Sequence, residues 1–445
     1  MKILYFIETY PTRGKLEFSW IANKVYKLAK DIEEIQKSRQ NNNSMKLLVN
    51  RHINNSIKSQ YNEIREDLLI GLTKKENDFF DNIHSDMWSI IEIELWKNYI
   101  MGKADSSLYL VEILKRVWHQ WNFDIIVNWG TNESLRVFGT QYQIPVVSME
   151  LGCTRAPIYG SIYFDFNGVN GKAYSRYFDL DSYKPELSID EINTLNPLSL
   201  TNYIRDDSKF RNINLKQCEN LYTNKKTILI PLQLMDDSNV VLYSEFNSML
   251  SFLKRVIPNL LDNGYNIIVK PHPGALHENA RLINKIDHNE CKNYIDRSSS
   301  CYWLESFSNN DYLVSLLTKV DYILTINSSI GFEALLFNKR VICLGKSPYN
   351  INGYLDGYDF IDSDYSYKTV TQEDKNTKII NSLLFSYLHP IDHSFRSDYF
   401  ISSLFLNLEL NSKYNKLINT HSKTRINPKE NSIISKRYFQ DIIAK

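Results

Sequence analysis

Short apolar runs that end in polar or glycine-containing sequence recur along this chain and alternate with stretches of helical period. In the first half these runs are Ile3–Ile7, Asp124–Asn128 and Pro145–Met149. Unbroken apolar segments of this length predict strands buried on both faces of a parallel sheet. Between the first two of these, Leu108–Trp121 repeats Leu110, Leu114, Val117 and Trp121 at helical spacing, which predicts an amphipathic helix. The stretch from Ile32 to Asn82 is charged and only weakly periodic; it is expected to be helical and partly exposed, without assignable element boundaries.

The second half alternates more regularly. Strands are predicted at Thr227–Leu232, Tyr265–Lys270, Asp321–Ile326 and Arg340–Gly345. Helices are predicted at Val240–Leu261, near Glu278–Ile286, and at Gly331–Phe337, with Lys375–Leu410 forming terminal helices. Strand and helix in alternation imply right-handed crossovers and parallel sheets. The expected fold class is therefore α/β, with two facing Rossmann-like domains and a C-terminal helical segment. A chain of 445 residues exceeds one ordinary core of ~150–200 residues. The expected division is 1–215, 216–390 and 391–445, with the domain boundary in the polar stretch near Asn212–Lys225 and the helices after His393 packing back on the first domain.

Composition removes several function classes. The 52 basic and 51 acidic side chains nearly cancel, so charge offers no footprint for nucleic acid. Five scattered cysteines, Cys153, Cys218, Cys291, Cys301 and Cys343, have no zinc-pair spacing and are expected to be reduced thiols of a cytoplasmic protein. The apolar stretch at the N-terminus is too short for a signal peptide, and no apolar run reaches the ~18 residues of a membrane span.

In parallel sheets ligands bind beyond the carboxyl ends of the strands, and four predicted strand exits carry unusual chemistry. Asn327-Ser328-Ser329 with Glu333 one turn later sets hydroxyls and backbone donors at a helix N-terminus, where a phosphate is favoured; Glu333 can accept both hydroxyls of a ribose. The same residues would serve as an ordinary N-cap with an acidic first turn. Lys270-Pro271-His272-Pro273 holds a histidine rigidly between two prolines, with a lysine beside it to neutralise a phosphate or carboxylate; a proline-rich turn with a surface histidine would look alike. Gln233, Asp236, Asp237 and Asn239 follow the Thr227 strand, and taken alone the carboxylates read first as helix caps, with a nucleophile or general base as the functional reading. Glu150 ends an N-terminal strand near Asn132 and Arg155, positioned for acid/base work or for a loop ion pair with Arg155.

The order of these residues resembles the bacterial capsule-polysaccharide synthesis family of retaining β-Kdo glycosyltransferases. The likeness rests on Glu150-x-Gly152-x-x-Arg155 with Gly168–Gly171, Pro231–Gln233 with Asp237-Ser238, Lys270–Pro273, and Ser328–Gly345, and it spans roughly 124–349. It implies a GT-B fold and transfer of Kdo from CMP-Kdo to a capsule or lipopolysaccharide acceptor. By the same resemblance Asp237 is the nucleophile, Glu150 the acid/base, and His272 with Lys270 the site for donor phosphate and carboxylate. Ser328, Ser329 and Glu333 would receive the nucleotide, and Gln233, Asn327, Asn239, Arg155 and Asn132 complete the nucleotide-sugar site. Asp236, where relatives often have glycine, would then be the helix cap. Kdo carries a carboxylate at its anomeric carbon, so a carboxylate nucleophile needs the cations that Lys270 and His272 supply. No cofactor or metal is expected: Asp179-Leu180-Asp181 lacks the preceding apolar strand of a metal-binding Asp-x-Asp. A transferase using CMP-sialic acid or a UDP-sugar, or a non-catalytic glycan-binding or export component, remains an alternative. The expected partners are a nucleotide sugar and a glycan or glycolipid acceptor, with no nucleic acid. Basic residues of the tail, from Lys413 to Arg437, suggest peripheral contact with the inner face of the cytoplasmic membrane.

Overall fold

The structure, a computed structural model, describes residues 1–7, 19–39, 42–83, 90–103, 105–154, 160–188, 191, 225–278, 280–304, 316–362, 372–420 and 424–431. It is α/β throughout, with two sheets that fall in two compact units. The first comprises Met1–Glu150, Ile162–Val169 and Pro390–Ser422; the second comprises Leu151–Ser161, Asn170–His389 and Lys423–Lys445.

Strands are numbered here in chain order. The first sheet contains β1 (Lys2–Ile7), β2 (Ser44–Val49), β3 (Leu69–Gly71), β4 (Ile125–Trp129), β5 (Val146–Leu151), β6 (Ser161–Asp165) and β12 (His389–Pro390), in the order β12-β6-β5-β4-β1-β2-β3. Pairing is parallel from β3 across to β5, with Tyr5 opposite both Leu47 and Val127. Buried residues fill β1 and β4 because helices cover a parallel sheet. The helix Asp105–Gln120 turns Leu110, Leu114 and Val117 inward as its period predicts.

The weakly periodic stretch from Ile32 to Asn82 is not helical throughout. It contains β2 and β3 as well as helices at Arg51–Gln60 and Lys74–Ile83. A three-residue edge strand has no periodicity to read, and Lys46 interrupts the apolar pattern of β2 by extending over the Trp121 ring.

The second sheet contains β7 (Thr227–Pro231), β8 (Asn266–Lys270), β9 (Cys301–Trp303), β10 (Tyr322–Thr325) and β11 (Arg340–Cys343), all parallel, in the order β11-β10-β7-β8-β9. Numbered within each unit, both sheets contain the parallel order 3-2-1-4-5, the doubly wound arrangement with one topological switch point. In the second unit that point lies between β7 and β10. Ile228 and Ile230 of β7 and Ile267 and Val269 of β8 share one face and pack with Phe252, Val256, Leu260, Cys291 and Ile295.

The helix expected at Val240–Leu261 is two helices, Ser238–Tyr243 and Met249–Asp262. Ser244 ends the first by donating to the Val240 carbonyl, and Ser248 starts the second through a reciprocal capping box with Ser251. Asp287, reaching across from the helix Leu282–Ile295, also accepts from the Met249 and Leu250 backbone N–H groups at 3.0 and 3.1 Å.

The division of the chain differs from 1–215, 216–390 and 391–445. Residues 170–188 belong to the second unit, because Tyr174 and Phe178 pack edge-on against Tyr387 and the Ser175 hydroxyl donates to the Pro348 carbonyl. Pro390–Ser422 belongs to the first unit, where Phe400 of the long helix Ser397–Thr420 packs on Tyr5 and Phe164. The expected boundary, apart from Lys225, and the end of the basic tail lie outside the described residues. Among the described residues no helix is long and apolar enough to cross a membrane, and Cys153, Cys291, Cys301 and Cys343 are free thiols.

The double capping of Met249–Asp262 yields a test. Ser248→Ala should lower the unfolding free energy by about 1 kcal/mol. Asp287→Ala should cost more, roughly 2–3 kcal/mol, because two charge-assisted hydrogen bonds disappear. Urea unfolding measures both, and two equally small losses would mean that water caps this helix adequately.

Candidate functional site

At the switch point of the second unit, β7 and β10 are parallel neighbours, and side chains from both exits meet. Gln233 follows β7 and Asn327 follows β10, and each is almost fully buried. The Gln233 Nε2 donates to Asn327 Oδ1 at 3.0 Å and to Asp237 Oδ2 at 3.4 Å, while its Oε1 accepts from the Asn327 backbone N–H at 3.2 Å. Asn327 Nδ2 in turn donates to the carbonyls of Asn239 and Lys346 at 2.8 and 3.3 Å. A Cβ on Gly345 would stand 2.9 Å from that nitrogen, so the close approach requires glycine.

The two neighbouring aspartates are separated by environment. Asp236 is buried, ion-paired with Arg281 at 3.4 Å and bonded by Asn284 Nδ2 at 2.8 Å. Asp237 is the residue that caps the helix Ser238–Tyr243, its Oδ1 accepting from the Asn239 N–H at 2.8 Å. The expected capping role of Asp236 is thus reversed: Arg281 draws Asp236 into the interior, and Asp237 takes the helix N-terminus. Asp237 keeps partial exposure, yet its surroundings are dense enough that desolvation raises its carboxyl above the ordinary aspartate value. Hydrogen bonds from Asn239 and Gln233 oppose that rise, and the Asp236 charge adds to it.

Ser328 caps the eight-residue helix Ser329–Leu336, its hydroxyl accepting from the Ile330 N–H at 3.3 Å. Glu333 stands one turn inside. Beneath this helix start lies fully buried Tyr349, whose hydroxyl donates to the Ser328 carbonyl at 2.5 Å. Its ring occupies the space beside Gly331, where a Cβ would come within 2.4 Å of the tyrosine oxygen.

Lys270 ends β8, and burial lowers its pKa while the Glu333 carboxylate works in the opposite direction. The exits of β8 and β10 are therefore electrostatically linked. His272 caps the short helical turn Pro273–Leu276, its Nδ1 accepting from the Gly274 N–H at 3.0 Å. With Nδ1 as acceptor the neutral ring carries its proton on Nε2, leaving that atom a donor.

In the first unit, Glu150 lies near the end of β5, half-buried, and its charge acts on the Tyr5 phenol, whose pKa burial holds well above the ordinary value. Asn132 is committed to structure. It caps the helix Glu133–Tyr142 through Ser134 N–H at 2.9 Å and donates to the Tyr99 hydroxyl at 3.0 Å. Arg155 lies outside the described residues. Asp165 explains the glycine after it by accepting from the Asn167 and Gly168 N–H groups in a tight turn where Gly168 has φ 136°. Asp179 and Asp181 engage Ser182 and the Tyr354 hydroxyl, and among the described residues no acidic, histidine or cysteine cluster could hold a metal ion.

Two features had no legible signal in the sequence. Arg281 partners Asp236 from a distant loop. Arg176 is largely desolvated, which lowers its pKa; its Nη1 donates to the Gly171 carbonyl at 2.7 Å, and its buried Nε has no hydrogen-bond partner. Neither lies in a recognisable pattern.

The Gly331–Tyr349 contact gives a direct test of how the helix start is built. Gly331→Ala should lower Tm by several degrees, since the backbone or Tyr349 must shift. Tyr349→Phe, which removes the closest atom, should restore part of that loss in the double variant. Strictly additive effects in calorimetry would show that the two residues do not meet.

The chain has relatives of related character. The sequence profile described as capsule polysaccharide biosynthesis protein matches residues 174–366, and that of the glycosyltransferase 99 family N-terminal domain matches residues 69–174. The capsule polysaccharide modification protein LipA of Neisseria meningitidis serogroup A is 27% identical over 242 residues, 50% of this chain and 31% of LipA. The chain thus spans about a third of the length of that curated relative. Two solved structures of Thermosulfurimonas dismutans KpsC resemble it. One is a β-Kdo 2,7 transferase (17% identity, TM-score 0.38, 80% of this chain and 97% of that one) and the other a β-Kdo 2,4 transferase (18%, 0.36, 58% and 80%).

Proposed function

We propose that this chain, which belongs to the capsule polysaccharide biosynthesis family, is a glycosyltransferase that moves Kdo from CMP-Kdo to a capsule or lipopolysaccharide acceptor with retention of configuration. The observation that carries this reading is the Asp237 carboxylate at the β7/β10 switch point, on the same strand ends as Lys270 and the Ser328 helix start. Ligands of doubly wound sheets bind at that place.

In this reading the cytidine ribose lies against Glu333, and the phosphate against Ser328, Ser329 and the helix N-terminus. Lys270 offsets the charge of the phosphate and the sugar carboxylate, and the Nε2–H of His272 donates a hydrogen bond to them. Asp237 attacks the anomeric carbon; the bond from that carbon to the phosphate oxygen breaks, and CMP departs with the electron pair. An acceptor hydroxyl then displaces Asp237 and gives up its proton to a general base, so two inversions give net retention. Asp237 suits the nucleophile better than Asp236, because Arg281 and Asn284 already engage the Asp236 carboxylate. The enzyme is expected to need no metal cofactor, to act in the cytoplasm, and to meet its acceptor at the membrane surface.

Thermal-shift measurements with CMP, UMP, UDP and GDP test the donor. CMP at ~100 times its dissociation constant should stabilise by about 2.7 kcal/mol, and Glu333→Ala should weaken CMP binding by ~1–3 kcal/mol. A stronger response to UDP would point to a UDP-sugar, and no response to any nucleotide would favour a non-catalytic glycan-binding component. The pH dependence follows from Asp237. Its pKa is raised in the fold and its ionised form is the nucleophile, so kcat/KM should rise with pH through a value above the ~3.9 of an ordinary aspartate. An acidic limb at or below that value would remove Asp237 from the role.

A further inference from the structure

Gln233 and Asn327 are fully engaged at the switch point, and their engagement runs in one direction. The carbonyls of Asn239 and Lys346 accept only, so they fix the Asn327 amide with its nitrogen toward them and its Oδ1 toward Gln233. That oxygen must receive an N–H, which turns Gln233 Nε2 toward it, while the Asn327 backbone N–H requires Gln233 Oε1 on the other side. Flipping either amide would set oxygen against oxygen or nitrogen against nitrogen. The second N–H of Nε2 then has one direction left, toward Asp237 Oδ2 at 3.4 Å.

From this arrangement we infer that Gln233 and Asn327 form an oriented amide relay that aims one N–H at Asp237, and that they position the nucleophile rather than bind the donor. The inference rests on the reading of Asp237 as nucleophile and deepens it. Both donors of Gln233 Nε2 and both of Asn327 Nδ2 are spent inside the protein, so neither amide nitrogen has a proton to offer a phosphate or sugar. The contact with Asp237 is the longest of the relay, at 3.4 Å. Gly345 is part of the device, since a side chain there would displace Asn327. The relay also joins the exits of the two strands that flank the switch point, so Asp237 takes its position from β10 as well as from β7. Desolvation of the Asp237 carboxyl works against the amide, as does, to a smaller extent, the like charge of Asp236, itself paired with Arg281.

The test uses the full chain with 13C-labelled aspartate, the Asp237 carboxyl signal being assigned through Asp237→Asn. In Gln233→Met, which keeps the length of the side chain and removes its donors, Asp237 should titrate about one pH unit higher than in wild type. Asn327→Ala should move it in the same direction by less. The acidic limb of kcat/KM should follow, with kcat reduced at least tenfold, donor KM unchanged and CMP affinity within twofold of wild type. An Asp237 titration that stays put in folded Gln233→Met would overturn the relay, as would a tenfold loss of CMP affinity with kcat intact. The carboxyl titration needs no turnover, so absence of transfer activity in wild type would defeat the functional reading while leaving the relay decided on its own evidence.

Discussion

The site depends on a constraint of topology. When a parallel sheet grows outward from a central strand in both directions, the two strands at the reversal send their crossovers to opposite sides, and a crevice opens at their carboxyl ends. In the second unit those strands are β7 and β10. A crevice edged by backbone is unstable unless its polar groups are satisfied, and here Gln233 and Asn327 satisfy them across the gap. The same bridge reaches Asp237 through Gln233 Nε2. Fold stability and the placement of the proposed nucleophile are in this way one arrangement.

Burial then assigns different chemistry to residues that look equivalent. Asp236 and Asp237 are adjacent, yet one is locked to a buried guanidinium and the other sits at a helix N-terminus with an oriented amide beside it. Lys270 is similarly made by its surroundings: desolvation weakens its hold on a proton and Glu333 strengthens it. A lysine balanced in this way answers strongly to a new anion, because the site is dry enough for charge to act at short range. Serine and glycine at the β10 exit are fixed by the tyrosine beneath them, so the helix start is rigid before any ligand arrives.

Much of this was legible in the sequence. Strands β1, β4, β5, β7, β8, β10 and β11 are apolar runs with polar exits, and parallel burial writes that pattern directly. Ser328 was readable as a helix cap because capping favours a short side chain with an acceptor oxygen there. What escaped had no local signature. Strands β3 and β9 are three residues long and owe their existence to the neighbours they pair with. The break between Ser238–Tyr243 and Met249–Asp262 is invisible to apolar period, and only Ser244 and Ser248 mark it. The cap expected at Asp236 is Asp237 instead, because Arg281 reaches Asp236 from a loop 45 residues along the chain. The same holds for residues 170–188, assigned by sequence to one domain and drawn by Tyr387 and Pro348 into the other.

The claim on which the rest turns is that Asp237 bonds to the sugar. Incubation of the protein with CMP-Kdo, without acceptor, followed by intact mass and peptide mapping, reads this directly. The account predicts a single added sugar on the peptide containing Asp237, absent from Asp237→Asn. An adduct on Asp236, or transfer with inverted configuration and no adduct, would contradict it and leave Asp237 as the cap of a helix.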